Sequence, residues 1–96
     1  MNEIQVEIIR AFEGNRSILT TNEREKIAFL EECDKMDMKW ISGVNVCKRT
    51  PLFNPVYFSC RNCEGLRSSY ATPDLSVIDW SDMVGMFQKS EAIFTY

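Results

Sequence analysis

The chain has 96 residues, 45% hydrophobic and 26% charged, which is enough apolar surface for one modest core and too much for a disordered chain. One domain spanning residues 1–96 fits that length. A net charge of −3 argues against nucleic-acid binding, and the absence of histidine removes every histidine-dependent triad or general base.

In chain order, Ile4, Val6 and Ile8 alternate with Glu3, Gln5 and Glu7. That is the period of a half-buried strand, and β-branching favours it over a helix. Gly14-Asn15 ends the segment in a turn. A helix over residues 22–37 is the clearest signal. Thr21 and Asn22 are capping residues, Glu25 stands at capping-box spacing from Asn22, and Phe29, Leu30, Cys33 and Met36 form an apolar stripe. Residues 39–43 read as a short strand closing on a glycine turn, and Pro51 and Pro55 keep residues 44–55 irregular.

Residues 56–60 and 66–70 are rich in strand formers and flank a turn-like Arg61-Asn62-Cys63-Glu64-Gly65, the punctuation of a β-hairpin. Thr72-Pro73-Asp74 breaks the chain before a last strand at residues 76–80. Ser81 is placed to cap a short helical turn through Phe87. The expectation is an α+β domain with one main helix packed on a small antiparallel sheet. The order is β-α-β-β-β-β, with a short C-terminal helical turn.

No stretch approaches the roughly 20 apolar residues of a membrane span. The first residues lack the basic start and apolar run of a signal peptide, so the expected setting is the cytoplasm, without a membrane partner. Reduced thiols are then the expected state of the cysteines. Cys60 and Cys63 form a C-x-x-C that, with Cys47 and the more distant Cys33, could hold zinc. Against zinc stand the missing second C-x-x-C and the place of Cys33 on the apolar stripe of the helix. In the plainer reading Cys60 ends a strand and Cys63 sits in a turn.

Carboxylate pairs such as Asp79 with Asp82 have no evident pocket, and no glycine-rich phosphate loop is present. The expectation is therefore a binding protein and not an enzyme. Three binding devices remain open. Met83, Met86, Phe87, Ile93 and Phe94 make an apolar tail that either wraps the core or meets a protein partner. Residues 38–73 carry Glu64 alone against Lys39, Lys48, Arg49, Arg61 and Arg67. Lys48, Arg49 and Arg67 could therefore line a pocket for a small nucleotide signal at a homodimer interface. The third device is the zinc-stabilised module.

The segment Glu23 to Met36, the Lys39-Trp40-Ile41-Ser42-Gly43 turn, Gly65-Leu66, and Asp79-Trp80-Ser81-Asp82-Met83 together resemble a diffuse group of small bacteriophage and prophage proteins. The resemblance implies an accessory protein in the bacterial cytoplasm, of the kind that blocks a host or defence protein, anti-CRISPR proteins included. It assigns no functional residue. The chain after Met83 and the C-x-x-C depart from the shared pattern.

Overall fold

Asn2 opens the first element. Its side chain accepts from the Gln5 backbone N–H at 2.8 Å while the Gln5 side chain accepts from the Asn2 N–H, a reciprocal capping box. The computed structural model describes residues 2–60 and 64–86. In it α1 runs Glu3–Glu13, where the alternation of residues 4–8 had pointed to a strand. The buried positions Gln5, Ile8, Ala11 and Phe12 follow helical spacing, so the face set by tertiary packing prevails over the β-branched residues. Asn15, at φ 53, turns the chain into β1, Ser17–Thr20, which the sequence reading left unassigned.

The long helix is confirmed as α2, Glu23–Lys35, with the Asn22 side chain accepting from the Glu25 N–H at 2.9 Å. It ends where Asp37 adopts φ 58 and the Met38 N–H donates to the Cys33 carbonyl at 3.0 Å. Residues 39–45 form a tight turn held by isolated bridges instead of the short strand expected there. A single 3-10 turn follows at Val46–Lys48. The hairpin then appears as β2, Val56–Ser59, and β3, Arg67–Ser69, and the last strand as β4, Val77–Asp79. Residues 80–86 are helical. Asp79, not Ser81, caps that segment, accepting from the Ser81 N–H at 3.0 Å and from its hydroxyl at 2.7 Å.

The α+β class holds, but the sheet is mixed instead of antiparallel. Its order is β3-β2-β1-β4, with β1–β2 and β2–β3 antiparallel and β1–β4 parallel. β3 and β4 lie on opposite edges and both run parallel to β1, so the chain between them crosses the sheet and returns to its other end before β4 begins.

Register divides the sheet into two faces. Ile18, Phe58 and Ile78 share the face toward the helices. There Phe29 of α2 packs on Phe58 at 4.5 Å and meets Trp80 and Phe12 edge-on, at 5.6 and 6.3 Å. Burying a ring such as Phe29 is worth about 1.5–3 kcal/mol, so this aromatic group dominates the core. Ser17, Tyr57, Ser59 and Arg67 share the other face. The Tyr57 hydroxyl lies 3.3 Å from that of Thr72, which places this part of the β3–β4 crossover on the same side, while the buried Ser17 hydroxyl donates to the Phe58 carbonyl at 3.0 Å. Among the described residues no helix is long and apolar enough to cross a membrane.

Candidate functional site

Lys26 sits on the apolar side of α2, one turn before Phe29 and Leu30, and is 0% exposed. A lysine there needs polar partners, and the chain supplies them from one loop. Its ammonium donates to the Pro51 carbonyl at 2.5 Å and the Phe53 carbonyl at 3.4 Å, and pairs with the Glu23 carboxylate at 2.6 Å. Glu23 also accepts from the Asn54 side-chain amide at 3.2 Å. The Lys26 hydrogen bond, then that of Asn54, holds the Glu23 carboxyl below the usual carboxylate range. Residues 51–54 are thus fastened to α2 through their backbone.

The residue between the two clamped carbonyls is Leu52, and it is 97% exposed. Beside it Phe53 packs edge-on against Tyr70 at 5.7 Å, and Tyr70 is 78% exposed. A shallow groove of about 530 Å³ adjoins the loop, lined by Trp40, Ser42, Arg49, Leu52, Phe53 and Ser68. Lys48 and Arg49 are exposed and form no ion pair among the described residues. The indole N–H of Trp40 is buried without an acceptor among those residues. A rigid loop tip with an aliphatic anchor, an aromatic neighbour and flanking cations is suited to contact with a protein surface.

The residues named from sequence fall in several places. Met83 is 5% exposed and belongs to the core cluster with Trp80, so it is not free to meet a partner. Met86 is 62% exposed, and Phe87, Ile93 and Phe94 lie outside the described residues. Arg49 belongs to the 49–53 loop and lines its groove, Lys48 immediately precedes it, and Arg67 opens onto a different groove with Arg16. The three basic residues do not converge on one pocket.

Cys33 and Cys60 are buried and Cys47 is exposed, while Cys63 lies outside the described residues. Burial, reinforced by Cys60, Glu32 and Cys47, pushes the Cys33 thiol strongly up, the behaviour of a core residue. The Cys47 thiol is also raised, by desolvation and then by Asp34 and Glu31, and it points toward the Leu30 carbonyl at 3.9 Å. Among the described residues no three side chains of the metal-ligating types are placed to hold an ion.

Another groove, about 700 Å³, runs between the ends of α1 and α2. Ile9, Phe12, Met36 and Met38 form its apolar wall, and Lys35, Asp37, Lys39 and Glu64 its mixed-charge rim.

The sequence reading missed Lys26 as a clamp and Leu52 as a presented residue. A signal existed for the first, because Lys26 occupies the apolar stripe continued by Phe29, Leu30 and Cys33. For Leu52 the only sign was an aliphatic residue inside the Pro51–Pro55 loop. No family model matches this chain, and no match was found among the curated proteins or the solved structures.

Proposed function

We propose that this chain is a non-enzymatic bacteriophage accessory protein that binds a bacterial host or defence protein and blocks it, with the 49–53 loop as its contact surface. The observation that carries this reading is the near-complete exposure of Leu52 on a backbone clamped by buried Lys26. Immobilising the loop in the free protein removes an ordering cost that binding would otherwise incur, about 0.5–1.5 kcal/mol per immobilised side chain. Leu52 and Tyr70 act as anchors for an apolar depression in the partner. Lys48 and Arg49 direct the approach toward carboxylates around that depression, an effect felt mainly in the association rate. The phage assignment rests on the turn and hairpin pattern from Glu23 to Met83.

The test is native mass spectrometry of tagged protein recovered gently from bacterial lysate, run on the wild type, Leu52→Asp, and the tail variant Met86→Asp with Phe87→Asp. The expected result is one defined bacterial protein at fixed stoichiometry, lost in Leu52→Asp with an unchanged circular dichroism spectrum and kept in the tail variant. Activity of the captured protein, assayed with and without this chain, then reads the block. Retention by Leu52→Asp would remove the loop from the interface, and loss in the tail variant would transfer the interface there.

A further inference from the structure

A third groove lies on the sheet face opposite the helices. Arg67 of β3 stands directly across from Ser59 of β2, so both side chains emerge on that face. Asn15 and Arg16 enter the same groove from the turn before β1, and Leu75 walls it from the crossover between β3 and β4. The space is about 390 Å³, in the range that takes a small molecule.

The electrostatics of this groove run against those of the chain. The protein carries 14 acidic residues against 11 basic ones, and Arg10, Lys26, Lys35 and Lys39 each pair with a carboxylate. Arg16 and Arg67 have no such partner among the described residues, and no described carboxylate lines the groove they share. Two arginines that line one cleft without a counter-charge among the described residues raise its positive potential, and an oxyanion bound there would offset it. Planar guanidinium forks suit phosphate oxygens, the Ser59 hydroxyl and Asn15 amide add neutral donors, and Leu75 offers an apolar wall.

We propose that Arg16 and Arg67 form a binding site for the phosphate group of a small phosphate ester. The two arginines bracket the phosphate, Ser59 and Asn15 donate to its remaining oxygens, and the carbon skeleton lies toward Leu75. This site is independent of the 49–53 loop, which faces away from it on the other side of β3. Ser68, between Arg67 and Ser69, lines the loop groove, and Arg67 lines this one.

The experiment is amide chemical-shift titration of the full chain with inorganic phosphate and with ribose 5-phosphate, against sodium chloride at matched ionic strength. The expected result is saturable shifts at Arg16, Ser59, Cys60 and Arg67, absent with chloride. Arg16→Gln and Arg67→Gln should each weaken binding about tenfold or more, since a charge-assisted hydrogen bond contributes more than one factor of ten. Arg49→Gln should leave it unchanged. Saturation by both probes, or by the ester alone, supports the site, tighter binding of the ester giving the Leu75 wall a part, whereas saturation by inorganic phosphate and not by the ester would overturn the ester assignment. Non-saturating shifts with both probes, or equal affinity in Arg16→Gln and Arg67→Gln, would overturn the proposal. Because both arginines are exposed, the variants fold, and their unshifted spectra verify it.

Discussion

Gly65 lies against the backbone of Ile41 so closely that a Cβ atom on it would stand 2.6 Å from the Ile41 Cα and 2.9 Å from its nitrogen. Neighbouring hydrogen bonds fix this approach. The Leu66 N–H donates to the Lys39 carbonyl at 2.9 Å, and the Ile41 N–H donates to the Leu66 carbonyl at 3.1 Å. Gly65 also has φ +147, a conformation that side chains rarely adopt. Gly65→Ala is therefore expected to destabilise the protein by roughly 2–4 kcal/mol, from strain and overpacking together. Gly43, at φ +87 with nothing within 4 Å of its hypothetical Cβ, carries only the conformational part, so Gly43→Ala should cost clearly less. Urea unfolding of the two variants measures the difference.

Lys26→Met keeps the length of the side chain and removes the clamp. The Pro51 and Phe53 carbonyls then lose their donor, and the expected cost is roughly 2–4 kcal/mol. Hydrogen exchange should rise at residues 52–54 well before it rises in β2. A variant that exchanged uniformly would show that Lys26 serves the core and not the loop.

The same clamp sets an acid limit. The folded-state Glu23 carboxyl is held below its usual range, so the folded chain binds that proton more weakly than the unfolded chain does. Its contribution is present above the unfolded value and is lost as the pH falls through the depressed folded one. Protection of the 52–54 amides, taken relative to the intrinsic exchange rate at each pH, should fall with acidification across the carboxylate range. Glu23→Gln should flatten that response while leaving the rest of the acid transition in place.

Cys33 sets the limit on the alkaline side. Its folded thiol is raised, so its contribution is complete below the unfolded thiol value of about 8.5 and declines as the pH rises beyond it. The expected slope is about 1.4 kcal/mol per pH unit for a single group. Cys33→Ala should be less stable at neutral pH, because it leaves a cavity, yet should lose stability more slowly between neutral and alkaline conditions. Parallel slopes would show that Cys33 does not govern the alkaline limb.

Where capping and periodicity agreed, the sequence was legible. Asn22, Glu25 and the stripe through Phe29 and Cys33 define α2, and the hairpin strands are marked by β-formers around a glycine turn. The first helix was misread because Ile4, Val6 and Ile8 satisfy both periods. The Asn2–Gln5 capping box, and the helical spacing of Ile8, Ala11 and Phe12, were the deciding signals. The strand Ser17–Thr20 is too short to show a period, and its identity comes from pairing with Val56–Phe58 on one side and Val77–Asp79 on the other. The candidate surfaces were hidden for a related reason. Lys26 and Pro51, or Arg16 and Arg67, become neighbours only through the sheet and helix packing, and no local pattern announces them. The Lys39–Gly43 turn and Gly65-Leu66, noted separately in the sequence, pair with each other directly.

The position of β1 governs how the molecule comes together in time. This central strand finds one neighbour only at Val56 and the other only at Val77, so closing the sheet means joining points far apart along the chain. The helices can nucleate on their own in under a microsecond or so, but they have no sheet to rest on until those distant closures occur. Assembly is therefore slow relative to the helix content. Docking of β1 is the step expected to limit the rate, and a weakening substitution at Ile18 is expected to delay folding more than one on the exposed side of α2.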